Sequence, residues 1–215
     1  MRREWVSLSA SALVVGAMAM VLGVLLNPAT DSQDPVETLQ AVSQAGGQWL
    51  AMAVLFFIGS VALTLGLPAI LAVLTGRGRR LGLLGVGAFS VGTVGTTGYA
   101  MVMAFFRALV AKDAIIAVRL DAAVGDAGLN AFLYSWMAGF YIGVALIALA
   151  LLRERRTPTW VPVAMFVFVA MLPFVHLLGR VGAAVQMLAL AVAFTGVAIT
   201  ATSPERPRPV RERVY

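Results

Sequence analysis

The stretch WLAMAVLFFIGSVALTLGLPAILAVLTGRGRR, residues 49–80, runs for twenty-seven residues without a charge and then places three arginines in five positions. A bilayer core of about 30 Å needs about twenty helical residues at 1.5 Å each, so the apolar part is long enough to cross it. Lipid offers no hydrogen-bond partners, so the backbone must satisfy itself, which makes the segment a helix. The basic break reads as a loop held at the cytoplasmic surface.

Outward from this segment the same pattern recurs. Apolar runs occupy about 6–26, 49–75, 81–106, 129–152, 160–178 and 181–201. The expectation is an all-α, polytopic transmembrane bundle of six spans over 1–202, followed by a disordered basic cytoplasmic tail at 203–215 with three prolines and alternating charge. The first run follows Arg2 and Arg3 but is longer than a signal-peptide core, and it ends at Asn27 and Pro28.

Charge sets the orientation. With the N-terminus inside, the inner segments hold Arg2, Arg3, Arg77, Arg79, Arg80, Arg153, Arg155, Arg156, Arg206, Arg208, Arg211 and Arg213. The outer segments hold Arg107, Lys112, Arg119 and Arg180, so twelve of sixteen basic residues lie inside. Both termini are therefore expected in the cytoplasm, in a multi-pass protein of the cell membrane. The net charge of +6 is read as this topology signal, so no nucleic-acid partner is expected.

The connections carry local signals. Asp34, Pro35 and Glu37 read as N-cap, first helical position and N3 of a short amphipathic helix at the outer interface. Gly46 and Gly47 supply its stop. The segment from Arg107 to Gly128 is expected to be helical, either prolonging the third span or lying on the membrane. Gly179 and Gly182 mark a tight last hairpin. Pro68 and Pro173 are expected to kink their helices.

Helix contacts show as small residues at four-residue steps. Gly92 and Thr96 mark the third span, and Ser135, Gly139 and Gly143 mark the fourth. Such stripes let backbones approach closely, within one chain or between two copies.

The chain offers little chemistry. It has no cysteine, one histidine and one lysine, and no acid within an apolar run. That leaves out thiolate metal sites, haem held by paired histidines, a retinal Schiff base and carboxylate-coupled proton transport. No catalytic residue, metal site or cofactor is expected. What remains is a polar set near the outer helix ends. His176 and Arg180 stand four apart, Arg107 closes the third span, and Tyr99, Tyr134 and Gln186 fall at comparable depth. Together they are the candidate ligand-binding residues, with Arg107 and Arg180 as cationic contacts for an anionic or polar group.

The Asn27–Pro28 end of the first span, the acidic outer loop running into Trp49, and the Arg77–Arg80 loop before a Gly-rich third span form a recognisable layout. It resembles that of the small uncharacterised six-helix membrane proteins of actinobacteria. The resemblance covers most of the chain and implies a fold without an activity. The functional expectation is a structural or regulatory membrane component that acts through a lipid, a membrane-protein partner or a second copy. The alternative is a small permease or channel with an outward-facing polar vestibule.

Reporter fusions test the orientation. A fusion at Tyr215 should report from the cytoplasm, and one within Asp31–Gln44 from the opposite side; an external signal at Tyr215 would overturn it.

Overall fold

The computed structural model describes residues 3–28 and 34–203. The expected disordered tail lies outside these residues, save Ser203. The fold is all-helical, with no strand among the described residues. The helices are α1 Arg3–Leu25, α2 Pro35–Gln44, α3 Gly46–Val73, α4 Arg79–Val110, α5 Ala117–Val124, α6 Ala127–Glu154, α7 Trp160–Ala170 and α8 Val175–Thr202. Five of them are long and apolar enough to cross a membrane: α1, α3, α4, α6 and α8.

The helices close into a ring. α1 packs on α3, α3 on α4, α4 on α6, α6 on α7, α7 on α8, and α8 returns to α1 and α3. One end carries the arginine-bearing α3–α4 and α6–α7 loops and is called the basic end. α2 and α5 lie at the other. Inside the ring Phe89 of α4 meets Phe140 of α6 at 4.8 Å and Phe194 of α8 at 5.6 Å. Leu13, Leu63, Ile147, Met165 and Phe168 complete a core with almost no exposed surface.

The backbones approach closely where α1 meets α3. A Cβ on Gly16 would lie 2.7 Å from the Leu63 nitrogen and 2.8 Å from the Gly59 oxygen. Only hydrogen fits between these helices, so the contact is backbone on backbone. The α4–α6 contact is built alike. A Cβ on Gly143 would overlap the Phe89 backbone nitrogen, while one on Gly139 would stand 3.0 Å from the Ala88 carbonyl oxygen.

Several polar groups inside the bundle find partners across helices. Pro68 interrupts the hydrogen-bond ladder of α3. Ser9 of α1 fills the gap. Its hydroxyl donates to the Leu65 carbonyl at 2.8 Å and accepts from the Ala69 N–H at 3.0 Å. An uninterrupted helix would join those two groups directly. Midway along α3 and α4, the hydroxyls of Ser60 and Thr97 meet at 2.7 Å and those of Thr64 and Thr93 at 3.0 Å. Such pairs hold helices together where burial in lipid supplies no drive.

At the basic end Glu154 closes α6 with a buried carboxylate, 3% exposed. It accepts from the Gly78 N–H at 3.1 Å and lies 3.4 Å from the Thr75 hydroxyl. Gly78 precedes the first turn of α4, whose free N–H groups and positive dipole end favour an anion there. One helix thus caps another.

The chain departs from the sequence expectation at two boundaries and follows it at a third. The α2 helix is capped by Asp34, which accepts from the Val36 N–H at 2.8 Å, but Gly46 and Gly47 do not stop it. The break falls at Ala45, and both glycines open α3, where the first N–H groups have no helical acceptor anyway. The third span is prolonged beyond Phe106, one of the two arrangements expected for the segment after it, since α4 continues to Val110 and Ala111 caps it. The run 160–178 is not one continuous helix. Pro173 cannot donate to Val169, so α7 ends at Ala170 and a 3-10 turn covers Leu172–Phe174. The chain then reverses at Gly179, whose φ of 57° and ψ of −146° are open only to glycine.

Two stability predictions follow from these contacts, both read as melting temperature in detergent. Gly143→Leu should destabilise by about 1–3 kcal/mol, and more than Gly139→Leu, because it must displace backbone. Equal, negligible shifts would place the stripe against lipid. Ser9→Ala strands the Leu65 carbonyl and Ala69 N–H and should cost about 1–3 kcal/mol. An unchanged melting point would show that the opened ladder repairs itself.

A candidate ligand cavity between five helices

At the α2/α5 half of the bundle the ring does not fill its centre. A cavity of about 330 Å³ opens between α1, α3, α4, α6 and α8. Met20, Phe56, Met137 and Met187 give it flexible or aromatic apolar walls, and Thr96, Tyr99 and Tyr141 add hydroxyls. The Thr96 hydroxyl is turned to its own helix and donates to the Gly92 carbonyl at 2.9 Å. Thioethers adapt to irregular apolar shapes.

Two aromatic pairs frame the space. Tyr99 and Trp136 face each other with ring centroids 5.8 Å apart. The Trp136 ring lies over Gly95, where any Cβ would overlap it. Its indole N–H is buried and has no partner among the described residues. On the other side Tyr141 stacks on Phe168 at 5.1 Å and 10°. Gln186 is buried beside this pair and donates to the Phe168 carbonyl at 2.9 Å. That carbonyl sits in the last turn of α7, where the ladder runs out ahead of Pro173, so the amide replaces a lost helical donor.

The expected polar set is thus distributed. Tyr99 lines the cavity and Gln186 supports its floor through Phe168 and Tyr141. Tyr134 is exposed at 66%. Arg107 is half-buried near the last turn of α4, its Nε 3.4 Å from where a Gly46 Cβ would stand. That Nε is buried without a partner, next to the small cluster of Trp49, Met52 and Met103. Arg180 is exposed just after the Gly179 reversal. No hydrogen bond or ion pair joins Arg107 to Arg180 among the described residues. The backbone of His176 belongs to α8, but its side chain lies outside the described residues. Of the small-residue stripe, Gly92, Gly139 and Gly143 stand between α4 and α6, while Ser135 is exposed and donates to the Phe132 carbonyl at 2.7 Å.

Sequence reasoning passed over the residues that shape the cavity, namely Trp136, Met137, Tyr141, Met20 and Met187. One signal was present: five aromatics fall within 132–141, more than an anchoring belt requires. The lining has no carboxylate, histidine, lysine or arginine. Its chemistry is apolar contact with a few hydroxyl and N–H groups. No protein family, curated protein or solved structure matches the chain.

Proposed function

We propose that the protein is a non-catalytic component of the cytoplasmic membrane, crossing it six times with both termini inside, and that it holds a lipid-type apolar chain in the cavity lined by Tyr99 and Trp136. The role is structural or regulatory, exerted through that lipid partner. The observation that carries the reading is the cavity itself: five helices leave a half-open space of about 330 Å³ between them. An acyl or isoprenoid chain matches its apolar walls. The buried indole N–H of Trp136 and the Tyr hydroxyls suit a single polar end group.

The sixth crossing rests on the α7–α8 hairpin. Gln186 reaches Phe168, and Gly196 lies against Trp160 and Val161, so the two arms run antiparallel about Gly179. The arm from 160 to 178 has nineteen residues, about 28 Å if helical, close to the hydrocarbon thickness. The twelve-to-four distribution of basic residues supports the orientation.

The permease reading is weaker on the same ground. A solute path needs polar groups facing it along the bundle. The buried hydroxyls of Ser60, Thr64, Thr93 and Thr97 bond one another and backbone carbonyls.

Native mass spectrometry of the purified chain tests the proposal. Wild type should retain an apolar ligand, and Met137→Trp, which fills the cavity, should reduce its occupancy about tenfold while the melting temperature holds within a few degrees. Retention equal to wild type would overturn the cavity as the binding site.

A further inference from the structure

The basic end carries a second feature, independent of the cavity. Arg77, Arg79 and Arg80 stand on the α3–α4 segment, and Arg153, Arg155 and Arg156 on the α6–α7 segment; all six are exposed. Glu154 binds the two segments together through Gly78 and Thr75. Gly78 presses so tightly on the Ala150 carbonyl that no side chain fits there. The two arginine triplets are therefore one surface. Among the described residues only Arg156 meets a carboxylate, Glu154, at 3.5 Å, and that carboxylate is already shared with Gly78. Among the described residues the other five guanidinium groups form no ion pair. Arg155 is held with φ of 55°, an uncommon conformation for a side-chain-bearing residue, at the point where α6 ends.

Directly beyond this charged rim the surface turns apolar. Leu83 and Leu84 on α4 are 49% and 67% exposed, and Leu152 and Trp160 flank the other segment at 39% and 45%. A cationic rim above an apolar wall matches a phospholipid: an anionic head above hydrocarbon tails. An acidic protein or a nucleic acid would leave that wall without a match. A guanidinium fork engages phosphate oxygens in pairs, and clustered forks favour a head that carries net charge over a zwitterionic one.

We infer that the joined arginine triplets form a binding site for the phosphodiester head of an anionic glycerophospholipid, with its tails along α4 and α6. The site rests on the membrane reading but not on the cavity. It fixes which lipid surrounds the α4–α6 seam at the basic end.

The test uses the full chain in mild non-ionic detergent, titrated with phosphatidylglycerol, phosphatidylcholine or inorganic phosphate and followed by native mass spectrometry. Wild type should bind phosphatidylglycerol at least tenfold more tightly than phosphatidylcholine, and high salt should abolish the difference. Replacing Arg77, Arg79 and Arg80 by Gln, or Arg153, Arg155 and Arg156 by Gln, should weaken phosphatidylglycerol binding about 100-fold at low salt. Arg180→Gln and Met137→Trp should leave it unchanged. Equal affinity for the two lipids, a preference insensitive to salt, or equal loss in Arg180→Gln would each overturn the site. Displacement of the lipid by millimolar inorganic phosphate would overturn the lipid assignment. The salt and lipid comparisons in wild type decide the matter even if a Gln triplet fails to insert.

Discussion

In hydrocarbon every backbone N–H and C=O must find its partner within the protein, and the rest of this structure depends on that constraint. It permits helices and penalises every place where a helix is broken. The chain breaks its ladder at Pro68 and again ahead of Pro173, and each time another helix sends a polar side chain to the gap. Ser9 serves α3 from α1, and Gln186 serves α7 from α8. Both are nearly fully buried. The prolines and their repair groups fix the register of one helix against another more tightly than apolar contact can. A Leu sliding by one turn finds another apolar surface; a serine hydroxyl does not find another open pair.

The glycines work in the same direction. Burial gives helices no reason to associate once all surroundings are apolar, so close contact must come from shape and short-range attraction. Gly16 against Gly59 and Gly143 against Phe89 bring backbones to the distance of direct contact. These two seams stand on either side of the α3–α4 hydroxyl pairs. The ring is therefore stiff through α1, α3, α4 and α6, and less so through the interrupted α7 arm. The cavity lies inside the tight seams, where collapse would require a glycine contact to open.

Much of the architecture was visible in the sequence because the bilayer sets a length scale and lipid enforces helix. The apolar runs, the Asp34 cap and the four-residue steps from Gly92 to Thr96 and from Gly139 to Gly143 are local patterns. What stayed hidden depends on pairs far apart in the chain. Ser9 looks like any small residue in a span until Pro68 is seen to need it. The seven-residue spacings of Gly16 with Gly23 and Gly59 with Gly66 were readable, but only as a pair do they predict a seam. Glu154 sits in a run of arginines, where a carboxylate passes for a topology neutral. The cavity was least legible. It is a property of what five helices fail to fill, and of its lining the polar set named only Tyr99. Gly46 and Gly47 misled because a helix stop and a helix start use the same residue when the first N–H groups are free.

The latch at Glu154 has a consequence in time. Gly78 and its acceptor are seventy-six positions apart in the chain. At ribosomal speed of about 5–20 residues per second, Gly78 is made roughly 4–15 s before its anion exists, and α4 is finished roughly 2–9 s before it. During that interval its first turn has free N–H groups facing the aqueous boundary and is flanked by three arginines. Synthesis of Glu154 supplies the acceptor and ties the second pair of long helices to the first. The early half of the protein is thus made with a vacancy addressed to the late half. Assembly has a preferred order, and a chain stopped before α6 is complete leaves α4 without its anion.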